Sequence, residues 1–408
     1  MANNTPFSTP SNMYGRTSDA SGAGFGERSA PTTGGSDGTN KQWLPIWSGE
    51  VMTAYDQYRA FSALTESRTI ASGRVAEFPI MGTVALKPAW GAGEELLGNT
   101  NDNTSKTIAV ELDARPIATH FELDNIDLMI SQWEYRSELA RQAGQTLANA
   151  RDLQVGAYLV RASAEGVLAD DPRLQTVASG WRNSLADSPI YADAAFAALG
   201  AGTDAERSDA ALLLLSKMED FMVHLQEIDA DTAGVFCAVS PRIFHDIRAL
   251  GVARENAELF AGSNRPFFGG VAEAGGLGAQ LTDGLAGLQD RLEYMGVTII
   301  KTNHMPDFNA VNADVIGEAR YNLQFATAGV KAIMWQPKAV AQLSGTGLKV
   351  DTVDDIRRNT TFTVASVMAG TGVLRPECAS VVTSMAAGTT KAEFRTQLGM
   401  TKEFINTP

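Results

Sequence analysis

The side chains of this sequence that could do acid–base, nucleophilic or metal chemistry are few and scattered. His120, His224, His245 and His304 each stand alone, with no histidine or cysteine at metal-ligand spacing. Each reads as a packing residue, and His304, just before Pro306, as one at a strand end. Cys237 and Cys378 lie far apart and form no paired thiol motif, so no disulfide framework is expected and a reducing cytoplasm is the default. Glu94 and Glu95, flanked by Gly91, Gly93 and Gly98, look like paired catalytic carboxylates. Adjacent residues of an extended ribbon point to opposite faces, however, so the two cannot share one site as acid and base. Asp351, Asp354 and Asp355 could hold a hard cation, but a solvated acidic loop is the commoner outcome of such a cluster. Gly275, Gly276 and Gly278 neither follow a strand nor match a phosphate-binding fingerprint, and read as a flexible loop. No nucleophile elbow, kinase signature or zinc-hydrolase signature is present. The chain therefore reads as a non-enzyme without catalytic residues, cofactor or metal; an α/β enzyme whose site leaves no motif is the alternative from another class.

Composition bounds the rest. At 408 residues and 44% hydrophobic content the chain can hold two or three core units. A formal charge of −14 and a pI near 4.8 argue against gripping nucleic acid through a basic face. Acidity beside packed DNA suits a container better than a reader, and suits plain solubility equally well. The longest aliphatic run, Leu212 to Leu215, is far too short to span a bilayer, and no signal peptide is recognisable.

With little chemistry to position, the elements themselves carry the information. The organising one is a predicted helix from Ser131 to about Glu165, opened by a Ser131/Glu134 capping box and stopped by Gly166. Leu139, Ala143, Leu147, Ala150, Leu153, Ala157, Val160 and Ala164 form its apolar stripe, with Arg141, Gln142 and Asp152 mainly outside it. At ~1.5 Å per residue it is a rod of about 50 Å, the spine of a flat or elongated molecule. Before it, residues 1 to about 42 are too poor in aliphatic side chains to order themselves. A helix is expected from Glu50 to about Glu66, through Val51, Ala54, Tyr58, Phe61 and Leu64. Period-two alternation over 73–123 predicts a pair of long strands around a tip at Pro88 to Ser105. A two-stranded ribbon is marginal alone, so another copy of the chain is the expected support. After the spine come a loop-rich excursion (167–207), a helix capped by Ser208, a strand at Gly234–Val239, a helix started by Ser240-Pro241, and a strand at Gly296–Thr302. Together these make an α/β unit. Return strands at Val330–Trp335, Leu348–Val353 and Thr360–Met368, with a helix at Pro337–Leu343, are expected to pack on the spine, Leu147 and Leu153 facing the strands around Ile333 and Val364. Thr389–Leu398 reads as a small peripheral helix.

Short motifs sharpen this picture. Ser48-Gly49-Glu50-Val51, Ser72-Gly73, Phe78-Pro79, Gly82, Gly93-Glu94, Leu96, Tyr135-Arg136-Ser137-Glu138, Gly372 and Leu374-Arg375-Pro376-Glu377 occur in an order and at separations that resemble the major capsid proteins of T7-like, Autographiviridae-type short-tailed double-stranded DNA phages, over roughly residues 48 to 382. The resemblance implies an α+β, HK97-like fold. Its parts would be an N-terminal arm (1–48), first helix and P-domain entry (49–72), an extended β-hairpin E-loop (73–123), a P-domain with the spine helix (124–166), a loop-rich insert (167–207), an α/β A-domain (208–328), P-domain return strands (329–385) and a C-terminal tail (386–408). It implies a structural protein that self-assembles as hexamers and pentamers into a T=7 icosahedral shell in the host cytoplasm, with a scaffolding protein and a portal protein, packaged DNA as a non-specific neighbour, and no membrane. An encapsulin-like compartment shell of the same fold is the runner-up. Intersubunit contacts are expected at Trp43, Trp47, Arg74, Lys87, Trp90, Glu94, Glu95, Lys106 and Arg115.

Overall fold

The computed structural model describes residues 50–55, 58–81, 91–93, 105–124, 135–166, 187–253, 291–306, 309, 318–355 and 358–400. In chain order the strands are β1 (Glu66–Thr69), β2 (Val75–Met81), β3 (Ser105–Glu111), β4 (Ile117–Asp124), β5 (Ile190–Ala192), β6 (Val235–Val239), β7 (Arg291–Tyr294), β8 (Val297–Lys301), β9 (Val330–Trp335), β10 (Val340–Asp355), β11 (Thr360–Val373) and β12 (Ala379–Thr383). The main helices are α1 (Tyr135–Ala164), α2 (Asp204–Glu227), α3 (Pro241–Ala253) and α4 (Lys391–Gln397). Two compact units share the chain. The smaller takes residues 1–59, 115–151 and 346–368, and the larger the rest, so that α1, β10 and β11 each run from one into the other.

In the smaller unit, helical residues 50–55 lie against the first half of α1. Gly144 makes this close approach possible, because a Cβ there would sit 2.5 Å from the Val51 carbonyl oxygen and 2.9 Å from Ala54 Cβ. β4 pairs antiparallel with β11, from Ile117 opposite Val367 to Asp124 opposite Thr360. Thr361, Thr363, Ala365 and Val367 form the buried face of β11, whereas Val364 lies on the half-buried face. The expected acidic loop is corrected. Asp351 and Asp355 belong to β10, Asp351 held by Lys349 at 2.7 Å and the buried Asp355 by Arg358 at 3.6 Å. Leu147 is buried in this unit. Leu147→Ala is expected to cost about 2–5 kcal/mol in denaturant unfolding, the range for a buried leucine whose cavity cannot fully collapse; a cost near zero would mean the stripe is not a core face.

The larger unit is built on a six-stranded sheet in the order β5-β12-β9-β6-β8-β7, with β6/β8 and β5/β12 parallel and the other pairs antiparallel. Its core gathers Val155, Leu159 and Ala162 of α1, Leu214, Met218 and Phe221 of α2, Phe244 and Ile247 of α3 and the apolar residues of β6, β8, β9 and β12, with Leu153 packed at its margin. Several sequence expectations change here. Val330–Trp335 is a central strand of this sheet, with β12 on one side and β6 on the other, and not a return strand apart from the α/β unit. Pro337 opens only a 3-10 turn, Pro337–Ala339, before β10 starts at Val340. The helix expected to reach Glu66 gives way to a 3-10 turn at Ser62–Leu64 and to β1, which pairs parallel with β10 from Glu66 opposite Ala341. The cap of α2 is Thr203, in a capping box with Glu206. Ser208 instead donates its hydroxyl to the Ala205 carbonyl inside the helix, at 2.8 Å. Part of the supposed loop-rich insert is β5. Phe394 and Leu398 of the C-terminal segment are buried in the core, so that segment is not peripheral.

The ribbon is shorter than its alternation suggests. β2 and β3 pair antiparallel from Val75 opposite Glu111 to Met81 opposite Ser105, and the alternation after Asp113 belongs to β4, which pairs with β11 instead. The break falls at Ala114–Pro116, where proline ends the ladder.

Candidate assembly site at the root of the ribbon

Period two gives the ribbon one apolar face, formed by the cross-strand pairs Ala76/Val110 and Phe78/Ile108, all four buried. Val75, Glu77, Pro79, Thr107 and Glu111 on the other face are exposed. One face of the described part of the ribbon is thus covered within its own unit. Arg68 of β1 donates to the Glu77 carbonyl at 2.8 Å and lays its guanidinium 5.7 Å from the Phe78 ring centre. Among the described residues the ribbon has only these two strands.

Two glycines fix where it leaves the body. A Cβ on Gly370 would overlap the Glu111 carbonyl oxygen and lie 2.8 Å from Leu112 Cα, and one on Gly372 would lie 2.6 Å from Val110 Cγ2. The end of β11 therefore touches the ribbon root backbone to backbone, and the Asp113 amide donates to the Ala369 carbonyl at 3.0 Å. Next to that contact the buried Asp113 carboxylate accepts the Tyr321 hydroxyl at 2.8 and 3.1 Å and pairs with Arg320. Glu318 pairs with Arg320 at 3.2 Å and accepts the Ala114 amide. Tyr321 is buried, edge-on to Tyr158 of α1 at 5.2 Å. An ionised group taken out of water needs such partners, so this cluster holds the ribbon in one orientation.

A second buried carboxylate, Asp152 of α1, accepts the Ala60 and Ser62 amides at 2.6 and 3.0 Å and lies 2.9 Å from His304 Nδ1. It fastens the 60–62 bend and the segment after β8 to the spine. His304 is thus a hydrogen-bond partner as well as a packing residue. At the far end of α1, where helix carbonyls lack partners, Arg395 donates to the Ala164 carbonyl at 2.6 Å and Lys391 to the Glu165 carbonyl at 3.1 Å. Burial pushes Lys391 down to about 8, against the opposing pull of Asp187 at 3.8 Å. Above that pKa the folded state releases a proton that the unfolded chain keeps up to its ordinary value of 10.5. Stability should therefore rise with pH between about 8 and 10.5, and below about 8 the cost of the buried charge is full. Urea titrations across this window should show a shallower rise for Lys391→Met than for the parent; equal slopes would remove Lys391 as the source.

The Asp113 and Asp152 carboxylates each tie one segment to another. Among the described residues no group of three or more histidine, cysteine or acidic side chains could hold a metal, and no helix is long and apolar enough to cross a membrane. Of the residues expected at intersubunit contacts, Arg74 lies at the ribbon root, exposed, donating to the Leu112 carbonyl at 3.4 Å. Lys106 is in β3 opposite Ile80, and Arg115 is exposed just beyond Asp113. Trp43, Trp47, Lys87, Trp90, Glu94 and Glu95 lie outside the described residues. Sequence reasoning missed Asp113, Asp152, Arg320 and Tyr321. It also passed over Gly370, although the repeated glycine of Gly370 and Gly372 inside a strand signals close backbone approach.

No family model matches the chain. Over 120 residues, 29% of the chain, it is 32% identical to the major capsid protein of Enterobacteria phage T3 and equally to the minor capsid protein of that phage. The match spans about a third of the first relative's length and 27% of the second's. Among solved structures, the capsid of cyanophage P-SCSP1u matches 81% of this chain and 89% of its own, at TM-score 0.56 and 23% identity. The mature capsid of bacteriophage PhiM1 matches 81% and 88%, at TM-score 0.53 and 15% identity. The ribbon, spine helix, α/β sheet and returning strands of this chain are those of the HK97-like fold of phage capsid proteins, α+β in class.

Proposed function

We propose that this chain is the major capsid protein of a T7-like phage, a structural protein that self-assembles as hexamers and pentamers into an icosahedral head enclosing double-stranded DNA. The observation that carries the reading is the capsid-protein fold over 81% of the chain, joined to the sequence similarity to the T3 major capsid protein. The buried clusters support it: their polar groups tie the root of the ribbon to its own unit. In this reading the subunits assemble in the host cytoplasm around a scaffolding protein, one vertex takes a portal, and the virion is the final location. The acidic chain meets packaged DNA as a neighbour and does not grip it.

Co-expression of the full chain with a scaffolding protein, followed by electron microscopy, tests the reading. Closed icosahedral shells are expected. Shells that form without a scaffold and capture enzyme cargo would favour a compartment, and a stable monomer that never assembles would overturn the proposal.

A further inference from the structure

The β7–β8 hairpin turns through Met295 and Gly296, at φ 48° and 84°. A two-residue turn of this kind favours Asn-Gly or Asp-Gly, because both central residues need positive φ. Here the first position holds methionine, which is also 61% exposed. The tip rests on α2: Gly296 faces Met222 Cε, with a Cβ position 3.6 Å away, and Val223, the next residue of α2, is 47% exposed. Met295 and Val223 are thus two of only four large hydrophobic side chains that the described residues expose, and they lie on adjoining elements.

The rim of this patch is acidic. Glu219 and Glu227 stand one turn before and one turn after Val223 on the same helix face, and Glu293 is on β7; all three are exposed. Glu219 lies close enough to Tyr294 to raise its pKa further after burial has done so. No described cation forms an ion pair with Glu219, Glu227 or Glu293. Two copies meeting through this same patch would set like charges against each other.

We infer that the Val223/Met295 patch is a docking site for a cationic amphipathic helix carried by a different protein, its apolar stripe on the two side chains and its lysines or arginines on the three glutamates. Methionine suits such a surface because its unbranched thioether adapts to differently shaped partners, and apolar anchors within a charged rim are how a helix is held in a groove. The inference does not depend on the shell reading.

The probe is a fluorescein-labelled, helical lysine/leucine peptide, titrated with full-length protein at about 150 mM salt, where long-range attraction to an acidic protein is largely screened. Val223→Ser with Met295→Ser, and separately Glu219→Gln with Glu227→Gln and Glu293→Gln, should each weaken binding about tenfold or more. Asp351→Asn with Glu122→Gln, which removes exposed acids elsewhere, should change it less than twofold. A glutamate/leucine peptide should not bind. All the substituted groups are exposed, and circular dichroism checks that each variant is folded. Loss of affinity in the control equal to that in the patch variants would reduce the effect to net charge and overturn the inference. So would absence of peptide binding, or a patch variant that changes only the association of the chain with itself.

Discussion

Gly370→Ala is expected to produce a chain that folds poorly and, on the proposed function, forms no closed shells. The added methyl group meets backbone, not a movable side chain: the Glu111 carbonyl oxygen, the Glu111 carbonyl carbon at 2.9 Å and Leu112 Cα at 2.8 Å. No rotamer change relieves such an overlap, so either β11 bends or the ribbon root moves, at a cost of about 3 kcal/mol or more. The same change at Gly156, inside α1, meets nothing nearer than Pro306 Cδ at 3.5 Å. There alanine should be neutral or should stabilise by up to ~1 kcal/mol, since it removes unfolded-state freedom from a helix interior. Thermal unfolding of the two variants side by side separates lack of space from a general effect of losing glycine. If Gly370→Ala matched Gly156→Ala, the backbone contact at the ribbon root would carry no weight.

Asp113→Ala should be nearly as damaging, for an electrostatic reason. It removes the acceptor of the Tyr321 hydroxyl and the partner of Arg320, whose side chain is largely withdrawn from water. Arg320 keeps Glu318 at 3.2 Å, so breaking the pair from one side should cost about 3 kcal/mol, the low end of the range for a buried pair. Tyr321→Phe removes one hydrogen bond and should cost only about 1–2 kcal/mol. Adding Arg320→Met to Asp113→Ala should recover part of the loss, because removing both partners is far less harmful than removing one. Denaturant titration of the parent, Asp113→Ala, Arg320→Met alone and the double variant measures the coupling. A double variant no more stable than Asp113→Ala would mean that the cluster acts through packing and not through charge.

How much of this was legible in the sequence depended on range. The spine could be read because its signal is local: a stripe at spacings of three and four over eight turns, closed by Gly166. The strand at Val235–Val239 and the Pro241 helix start were legible for the same reason. What failed was decided between distant residues. Asp152 looks like any polar residue off the apolar stripe, and its partners are 90, 92 and 152 residues away. Asp113 meets Tyr321 across 208 residues. Alternation through Leu123 could not reveal that β4 changes partner, since a period of two is the same whichever strand lies alongside. Pro337 was misleading because a proline fits the first turn of a 3-10 segment as well as that of a helix. The candidate site was therefore half visible: the ribbon and Gly372 could be read, whereas Gly370 and the charges that anchor the root could not.

The division of the smaller unit into three chain segments bears on how the protein comes off the ribosome. Residues 115–151 emerge early, but the strands that complete that unit begin at Thr346, after the intervening stretch Asp152–Gly345 of about 190 residues. At ~5–20 residues per second, translation of that stretch takes roughly 10–40 s. During this interval β4 has no β11 to pair with, while residues 50–55 are already available to the first half of α1. The nascent chain should therefore bind hydrophobic-segment chaperones until about residue 368 has been made, and a transcript truncated after Gly345 should yield a product that aggregates although the larger part of its sequence is present.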